Sequence, residues 1–574
     1  MKLLPLLFIF SLFFLANAKA QDLPNFMTAE EQKIYKNYVP PFSSTDDINP
    51  PTSPVRTMAE WEEFQGVLIT WTSYTGILSQ MVKYMQQECY VYIVCSDSNS
   101  VKNTLTNNGV PHINLKFLIT SFNSVWCRDY GQWCVYTNDV DTMRFVDWIY
   151  NRPRPQDDQI PVFLANYMNV PIHQTTTSPN NITATGGNFM VDGNHTGFSS
   201  KLILNENSGK TEAQIDTIYR KYLGIRKYIK MNTLPYDGIH HIDMHMKLLD
   251  EETLMVGQYP AGVSDGPQIE ANLQYVLSNF QTCYGRPYKV VRVPMPPSLS
   301  GQYPPNSSYF TYTNSLIVNK TVLVPIYNFS LDTTALRIYR EAMPGYKVIG
   351  IDCNASIPAS GAIHCISKEI GVSEPIFISH PSIRNAYTSM SNYEVKALIK
   401  TKSGVTNPKV FWTTDTLSGF SELAMTNTGS DTFRAYIPSQ PLNTKVYYYI
   451  QANSTSGRSI KKPITAPSGN FRFTVTNPTG ISENGQPVAF GLSQNYPNPF
   501  NPVTIINFNI ASKSFVSLKV FDMLGREVSV LVSEEKQPGE YKAFFNGSGL
   551  SSGMYFYTLT AGNFSETRKM MLMK

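Results

Sequence analysis

Short apolar runs alternate with stretches of helical periodicity through the first two thirds of the chain. The run Gly66-Val67-Leu68-Ile69-Thr70-Trp71 predicts a buried strand, and helical spacing at 77–85 leads to a second strand at 90–94. Helical spacing returns at 212–223 and at 268–280. The mixture predicts an α/β or α+β domain for this part of the chain, but it does not fix the topology.

The pattern changes near residue 391, where helical spacing disappears and short strands are separated by polar turns. Strands at this spacing, with Pro and Gly between them, are typical of a β-sandwich. We interpret residues 391–476 as an Ig-like β-sandwich that serves as a spacer or adaptor, because no cluster of titratable side chains falls within it. The predicted strands are 393–400, 409–413, 445–451 and 471–475.

A polar linker at 477–489 leads to a last unit, residues 490–574, in which apolar and polar side chains alternate. Alternation with a period of two indicates strands with one buried face. We therefore predict a second small β-sandwich. Its predicted strands are 503–508, 515–521 and 553–559.

Residues 1–20 have the pattern of a signal peptide. Lys2 provides a positive start, residues 3–16 form a continuous apolar run, and Ala18-Lys19-Ala20 fits a cleavage site. The run is shorter than the roughly 20 apolar residues that a membrane-spanning helix needs, so we predict export and no stable membrane span. An N-terminal anchor is the alternative. Residues 21–56 are then a leader before the first domain.

Charge and cysteine usage exclude several classes of protein. The formal net charge is +4 and the basic residues are dispersed, so a nucleic-acid partner is not indicated. The seven cysteines are an odd number in a chain predicted for an oxidising compartment, so at least one is unpaired or pairs with another molecule. None stands in a C-x-x-C spacing, which argues against a structural zinc site.

One cysteine, Cys365, follows the small residues of Ser360-Gly361-Ala362 and precedes an apolar segment. A cysteine presented by such a turn can face a cleft, and a thiolate is the strongest nucleophile among the side chains near neutral pH. A buried structural cysteine is the alternative. The acidic and imidazole side chains found earlier in the chain decide against that alternative.

Three further segments carry acidic, imidazole and amide groups. Trp126 and Asp129 lie in an aromatic-rich segment that we predict at the end of a strand, and Asn314 enters an apolar strand. His241 and Asp243 are two residues apart, so an extended backbone would place both on one face. Two carboxylates, an imidazole and a thiol together suit a guanidinium substrate.

A guanidinium is planar and always charged, so two carboxylates can each hold it by a bidentate pair of hydrogen bonds. Its central carbon then stays open to attack by Cys365. His241 would protonate the departing ammonia and later activate the water that hydrolyses the amidino-thioether. We predict that Asp129 and Asp243 bind the guanidinium, with Trp126 beside them.

Seven ordered motifs span about residues 57–385: Ala59-Glu60-Trp61-Glu62, Arg128-Asp129-Tyr130-Gly131, Thr185-Gly186-Gly187-Asn188, Leu204-Asn205-Glu206-Asn207, His241-Ile242-Asp243, Tyr312-Thr313-Asn314 and Gly361-Ala362-Ile363-His364-Cys365-Ile366. They resemble the agmatine deiminase and bacterial peptidylarginine deiminase family. The resemblance implies the pentein fold at 57–390, a five-fold pseudo-symmetric α/β propeller, which no internal repeat indicates independently. It also implies Cys365 as nucleophile, His241 as general acid and base, Asp129 and Asp243 as guanidinium ligands, and Asn314 as a polar group beside the nucleophile.

The segment Asn151-Arg152-Pro153-Arg154-Pro155 places two arginines on a proline-stiffened loop. Two cations near a guanidinium pocket would repel the substrate unless an anion lay between them, and arginine binds carboxylates bidentately. The segment resembles the loop by which secreted bacterial peptidylarginine deiminases hold a C-terminal arginine. We therefore predict that Arg152 and Arg154 bind substrate and that the substrate is a peptide ending in Arg. Agmatine, which has no carboxylate, is the alternative substrate, and pairing with Asp157 or Asp158 is the alternative role of the two arginines.

Several features of residues 490–574 resemble the C-terminal sorting domain of type IX secretion cargo. They are the run Asn495-Tyr496-Pro497-Asn498-Pro499-Phe500-Asn501-Pro502, the turn at 524–528, the strand at 553–557 and the Lys-capped apolar end at 569–574. The resemblance implies the type IX machinery as a partner, passage through the periplasm and outer membrane to the cell surface or medium, and removal of this domain.

The reaction needs no cofactor and no metal, and we predict neither. A metal site on His241, Asp243 and His245 is an alternative that lacks a further acidic or Cys ligand close by. His240 and His364 are interpreted as packing or hydrogen-bonding residues. An inactive pentein that serves as a surface binding module is the alternative from a different functional class.

Overall fold

The computed structural model describes residues 23–41, 48–477 and 490–573. The predicted signal peptide lies outside these ranges, as does nearly all of the predicted linker. The chain forms two compact units. The first takes the residues up to Ser382 with Glu394–Ile437 and Tyr447–Arg472, and the second takes Ile383–Tyr393, Pro438–Val446 and the residues from Phe473 onward.

The first unit alternates strands and helices, as the apolar pattern predicts. In chain order the elements are α1 (Ala29–Tyr35), β1 (Val55–Thr57), β2 (Phe64–Thr70), α2 (Thr75–Met85), β3 (Tyr90–Cys95), α3 (Ser98–Asn107), β4 (Leu115–Ile119), α4 (Cys127–Tyr130), β5 (Trp133–Thr137), β6 (Met143–Tyr150), α5 (Ile160–Met168), β7 (Ile172–Thr175), β8 (Thr183–Ala184), β9 (Met190–Val191), β10 (Thr196–Ser200), α6 (Leu202–Glu206), α7 (Glu212–Leu223), β11 (Lys227–Met231), β12 (Met246–Asp250), β13 (Thr253–Gln258), α8 (Gly266–Asn279), β14 (Lys289–Pro294), β15 (Leu316–Val318), β16 (Thr321–Ile326), α9 (Ser330–Ala342), β17 (Lys347–Asp352) and β18 (Lys368–Gly371).

Five sheets in this region share one pattern. An antiparallel pair of strands is followed by a helix, and the next strand runs parallel to the second member of the pair. Parallel neighbouring strands need such a crossover, because the chain must return to the starting edge of the sheet before the second strand begins, and a tight turn is too short for that. The sheets are β5-β6-β7 with β1 and β8, β9-β10-β11, β12-β13-β14, β15-β16-β17 and β18-β2-β3-β4. The pairing of β18 with β2 joins the end of this region to its beginning.

Helix α7 illustrates how the sequence specifies these elements. Thr211 and Gln214 form a capping box at its start, and Gly224 ends it with a positive φ of 69°. Its buried face, Ile215–Leu223, repeats at helical spacing: Ile215, Ile218, Tyr219, Tyr222 and Leu223 are buried. The predicted bounds of 212–223 are confirmed.

Two further sheets follow β18, and most of their residues belong to the first unit. Strand β20 buries alternate residues, Tyr393, Val395, Ala397 and Ile399, as expected for a strand with one solvated face. The sheets run β19-β20-β24-β23 and β22-β21-β25-β26, with β27 beside β25. The elements are β19 (Phe377–Ser379), β20 (Asn392–Lys400), β21 (Val405–Thr413), β22 (Ser421–Ala424), β23 (Thr426–Asn427), β24 (Thr432–Pro438), β25 (Lys445–Ser454), β26 (Ser459–Lys462) and β27 (Phe471–Thr474).

The residues from 490 onward form two β-sheets, ordered β28-β29-β32 and β31-β30-β33-β34. Their shared core includes Ile506, Phe508, Leu518, Tyr557 and Leu559. The strands are β28 (Gly491–Leu492), β29 (Val503–Ile510), β30 (Ser514–Phe521), β31 (Glu527–Lys536), β32 (Gly539–Asn546), β33 (Gly553–Ala561) and β34 (Phe564–Leu572). The three predicted strands are confirmed as β29, β30 and β33, and β28, β31, β32 and β34 are added to them.

Among the described residues, no helix has both the length and the apolar character needed to cross a membrane.

Candidate active site

Cys365 lies in a short 3-10 helix, His364–Ile366, just before β18. The thiol is fully buried and forms no disulfide. Asn314 Nδ2 donates to its Sγ at 3.2 Å, and Asn314 Oδ1 accepts from the backbone N–H of His364 at 3.0 Å. One amide side chain therefore fixes both the thiol and the turn that carries it. Gly361 is required nearby, because a Cβ at this position would lie 2.3 Å from the ring of Trp126.

Asp129 lies in α4, so the prediction that it ends a strand is wrong. Strand β4 already ends at Ile119, and Asp129 lies further along the chain in α4, a single helical turn that long-range contacts hold in place. The buried Arg128 donates to Glu369 at 2.6 Å and to the carbonyl of His364 at 3.2 Å. These bonds tie the helix that carries Asp129 to the turn that carries the cysteine.

The extended backbone predicted for His241 and Asp243 is also wrong, because Ile242–Met244 forms a 3-10 turn. Long-range hydrogen bonds hold this turn: Thr313 Oγ1 donates to the carbonyl of Asp243 at 3.0 Å, and His364 Nδ1 lies 2.7 Å from Asp243 Oδ2. A spacing of two residues along the sequence carries no information about such partners.

Three of the predicted residues converge on Gly187. A Cβ there would lie 2.5 Å from His241 Nδ1, 3.0 Å from Asp129 Oδ1 and 3.2 Å from Asp243 Oδ2, so only glycine fits. His241 Nδ1 lies 3.6 Å from Asp129 Oδ1, and Cys365 Sγ lies 3.8 Å from Asp243 Oδ2. The structure therefore brings these four side chains, which come from three segments distant in sequence, into one buried cluster, here called the pocket.

The pocket contains polar atoms without partners. Asp129 Oδ2, Asp243 Oδ1 and His241 Nδ1 are buried and make no hydrogen bond to any described residue. Buried polar atoms are normally satisfied, so an exception calls for a partner that the protein itself does not supply. Two carboxylate oxygens without donors suit a cationic ligand with several N–H groups, and a guanidinium has five.

Burial, with the nearby charges of Asp243 and Asp129, raises the pKa of the Cys365 thiol well above its usual range. Burial also lowers the pKa of His241, and this effect outweighs the two carboxylates, which act in the opposite direction. At neutral pH the pocket thus holds a thiol and a neutral imidazole. A cation bound between the carboxylates would cancel the charge that opposes thiolate formation.

A chain of hydrogen-bonded ionisable side chains that the sequence did not indicate leads from Asp243 through His364 and Glu60 to Lys247. His364 bridges Asp243 and Glu60, with Nδ1 2.7 Å from Asp243 Oδ2 and Nε2 3.1 Å from Glu60 Oε2. Lys247 in turn donates to Glu60 at 2.8 Å. Although burial alone would raise the pKa of Glu60, Lys247 and His364 hold it well below its usual range. The expectation that His364 makes structural hydrogen bonds is confirmed.

Arg152 and Arg154 are buried on the loop after β6. Neither forms a hydrogen bond or an ion pair with Asp157 or Asp158 among the described residues, so direct pairing is not observed; the charge of Arg154 only partly offsets the rise that burial causes in the pKa of Asp157. Asp157 instead accepts from Ser124, and Asp158 accepts from the backbone of Tyr150. The arginines donate to residues 24–31 near the N-terminus, at Pro24, Asn25, Phe26 and Glu31. Trp126 Nε1 likewise donates to Leu23.

Glu206 also borders this region, although the sequence offered only its place in a family-like motif. Its carboxyl accepts from Asn151 at 2.5 Å, and burial, together with the charge of Asp129, raises its pKa to about 7. His245 has a buried ring, and burial lowers its pKa to about 4. The structure assembles no group of three or more His, Cys, Asp or Glu side chains suited to a metal ion, as far as the described residues go.

The chain is similar to two protein families and to several known proteins. A family model described as Porphyromonas-type peptidyl-arginine deiminase matches residues 56–370, and one described as a secretion system C-terminal sorting domain matches residues 494–573. A Vibrio parahaemolyticus protein described as "putative agmatine deiminase" is 25% identical over 289 residues, which cover 45% of this chain and 79% of that protein. A Shewanella baltica protein of the same description is 26% identical over 284 residues, which cover 43% of this chain and 74% of that protein.

Among solved structures, one described as the "putative arginine deiminase from Porphyromonas gingivalis" matches with a TM-score of 0.50 and 22% identity. The match covers 56% of this chain and 99% of that chain, and it concerns the fold. These similarities define a hydrolase of the pentein-type deiminase class, which acts on C–N bonds of guanidino groups. The chain belongs to the Porphyromonas-type peptidyl-arginine deiminase family, whose model matches more than half of its residues. It ends in a type IX sorting domain, which indicates secretion to the cell surface or beyond.

Proposed function

We propose that this protein converts a C-terminal arginine of peptides to citrulline and ammonia, with Cys365 as the nucleophile. The observation that carries the proposal is the convergence of Asp129, His241 and Asp243 at Gly187, with the thiol 3.8 Å from Asp243. Three buried polar atoms in that pocket have no partner among the described residues. A bound guanidinium would satisfy the two carboxylate oxygens among them.

In the first half of the reaction the Cys365 proton passes to His241, and the sulfur adds to the guanidinium carbon. The tetrahedral adduct collapses, the C–N bond breaks, and ammonia leaves with the proton from His241. In the second half His241 removes a proton from water, which attacks the amidino-thioether carbon. The C–S bond then breaks, the thiol regains a proton, and citrulline is released.

Substrate binding itself would prepare the thiol. The pKa of Cys365 is raised in part by Asp243 and Asp129, whose charges oppose a thiolate. A guanidinium held by the same carboxylates neutralises them and places a positive charge next to the sulfur. Asn314, at 3.2 Å from Sγ, stabilises the thiolate by donating a hydrogen bond.

Arg152 and Arg154 support a substrate that carries a carboxylate. Arg154 already binds one carboxylate, that of Glu31, through Nε at 2.7 Å and Nη2 at 3.2 Å. Such a fork accepts the carboxylate of a C-terminal arginine equally well. The ring of Trp126 lies against Gly361, in the turn that precedes Cys365, which supports a place for Trp126 beside the substrate.

Agmatine is the second candidate substrate, because curated relatives are described as agmatine deiminases and because the arginines have other partners in this structure. We also propose that the five sheets close into a pentein propeller and that residues 391–476 are an Ig-like spacer. The remaining domains proposed are a signal peptide at 1–20, a leader at 21–56, a catalytic domain at 57–390, a linker at 477–489 and a removable sorting domain at 490–574.

The test compares three substrates with the chain from residue 21 onward: a peptide ending in Arg, a peptide with internal Arg, and agmatine. Ureido product and ammonia are measured for the wild type, for Cys365→Ala, and for Cys353→Ala, a matched variant of another buried free cysteine. We expect turnover of the first peptide, lost only in Cys365→Ala. Product from agmatine alone would refute the peptide substrate. No product from any substrate, either with this chain or with a chain that starts at residue 48, would leave the binding module as the better interpretation.

A further inference from the structure

Residues 23–31, here called the leader segment, lie across the loops that border the proposed pocket. Trp126 Nε1 donates to the carbonyl of Leu23 at 2.7 Å, and the backbone N–H of Asn25 donates to the carbonyl of Ala359 at 2.9 Å. Both partners stand only a few residues before a pocket residue in the sequence. The leader segment is therefore bonded to the loops on the Asp129 side and on the cysteine side.

The two arginines of the proposed carboxylate site are bonded to the same segment. Arg152 Nε donates to the carbonyl of Asn25 at 2.9 Å, and Arg154 Nη2 donates to the carbonyl of Pro24 at 2.7 Å. The Glu31 carboxylate accepts from Nε and Nη2 of Arg154 at 2.7 and 3.2 Å. A carboxylate and several peptide carbonyls thus take the donors that a peptide ending in Arg would need.

Asn25 lies deepest in this arrangement. Its side chain is fully buried, and neither its amide nitrogen nor its oxygen has a hydrogen-bond partner among the described residues. Helix α1, which overlaps the end of the leader segment, lies on the surface with its outer side in solvent, since Ile34 is 56% exposed. Burying an unsatisfied amide is costly, so the segment is held by its main-chain bonds and by Glu31 rather than by a fit of this side chain.

We propose that the leader segment is an intramolecular occupant of the groove through which a peptide substrate reaches Cys365. The groove recognises polypeptide main chain and a carboxylate, and the chain supplies both from its own N-terminal part. Because the segment is covalently attached, its effective concentration is high, and a free peptide competes poorly with it. Full activity then requires that the segment be cut away or displaced. This inference rests on the proposed function for its substrate.

The experiment uses the chain from residue 21 to 574 with a specific protease site inserted between Pro41 and Ile48. The folded protein is cut and the released fragment is removed by gel filtration. The control carries the same site between Asn477 and Phe490, where cutting leaves the leader segment in place. Two rates are measured before and after cutting: alkylation of Cys365 by iodoacetamide, followed by mass spectrometry, and kcat/KM for a peptide ending in Arg.

We expect both rates to rise at least tenfold after the first cut and to stay constant after the second. Adding a synthetic peptide of residues 21–41 should reverse the rise. Faster alkylation without any turnover would support the occupant and refute the deiminase proposal, so the two failures are distinguishable. An alkylation rate that is unchanged or slower after the first cut would overturn the inference.

A point variant tests the same idea without proteolysis. Glu31→Gln removes the charge that pairs with Arg154 while keeping the capping box that Glu31 forms with Thr28. We expect a rise of a few-fold in alkylation rate and a lower KM for the peptide. Glu30→Gln is the matched control, since Glu30 is exposed and pairs only with Lys33 in this region. Equal behaviour of the two variants would count against the leader segment as an occupant.

Discussion

The pocket region and the C-terminal sorting domain bury different kinds of side chain. Around the pocket, Arg128, Lys368 and Glu369 are at most 4% exposed, and both cations form ion pairs with Glu369. In the described part of the sorting domain, the buried polar residues are Asn495 and Thr504, and neither is charged. Apolar burial alone is sufficient to build two packed sheets, so the buried charges of the pocket region point to function rather than to folding.

The largest effect is expected on catalysis in the pocket region, with little effect on folding. Cys365→Ser keeps the size of the side chain but removes the thiolate nucleophile, so we expect kcat/KM to fall by about 10⁴-fold or more. The thermal unfolding midpoint should change little, because among the described residues the polar contacts of the thiol are its bond with Asn314, a long contact with Asp243 and a backbone contact at Ala362. Steady-state kinetics and a thermal melt measure the two quantities. A large drop in the midpoint would mean that the thiol is part of the structural core.

The next largest effect is expected in the free energy of unfolding when the buried negative charge of Glu369 is removed. Glu369 accepts from Arg128 at 2.6 Å and from Lys368 at 2.7 Å, and Glu369→Gln leaves both cations without their anion. Breaking a buried pair typically costs about 3–5 kcal/mol. We expect a loss of this order in the free energy of unfolding at pH 7, measured by urea titration.

The pH dependence of that loss provides a second check. Burial alone would raise the pKa of Glu369, but Arg128 and Lys368 lower it from 4.5 to about 2. The unfolded chain therefore binds this proton more readily, and the stabilisation is fully present above pH 4.5 and disappears as the pH falls towards 2. The difference between wild type and Glu369→Gln should shrink over that window. A constant difference would show that packing, not charge, accounts for it.

In the sorting domain, a core substitution should lower stability without lowering activity. Leu559 is fully buried in its apolar core, and Leu559→Ala should lower the free energy of unfolding of this domain by about 2–5 kcal/mol. Turnover should remain that of the wild type, because Leu559 lies outside the residues of the pocket. Differential scanning calorimetry beside a product assay tests this. A parallel loss of activity would mean that the two regions depend on each other.

The smallest effect is expected for an exposed charge pair. Lys519 and Glu527 lie 2.8 Å apart with side chains 42% and 41% exposed. Glu527→Gln is the matched counterpart of Glu369→Gln, and exposed pairs of this kind contribute less than about 1 kcal/mol. The same urea titration at low and high salt measures it. A loss as large as that in Glu369→Gln would remove the contrast between the two regions.

The sequence predicts best what depends on neighbours in the chain. Helix α7 has its cap, its apolar face and its terminal glycine within fourteen residues, and its bounds were correct. The strands of the sorting domain follow from simple alternation, as in 503–508 within β29. The candidate site residues could also be chosen from the sequence, because thiol, imidazole and carboxylate groups stood out by their chemistry and by the family-like motifs around them.

The sequence could not predict what depends on distant partners. The helical turn at Asp129 is held through Arg128 by Glu369, which lies 241 residues further along the chain. The hydrogen bond between His364 and Glu60 spans 304 residues, and the sequence around either residue gives no indication of its partner. From the sequence, Arg152 and Arg154 are assigned to the substrate carboxylate, with Asp157 or Asp158 as alternative partners, whereas their hydrogen-bond partners in the structure come from residues 24–31. Long-range hydrogen bonds of this kind leave no local pattern.

The pairing of β18 with β2 has a consequence for how the protein is made. Strand β2 leaves the ribosome some 300 residues before β18, so the first sheet lacks one edge during most of synthesis. Cys365 reaches the other site residues only when that edge is filled. The pocket of the nascent chain therefore stays incomplete until roughly two thirds of the chain has been translated.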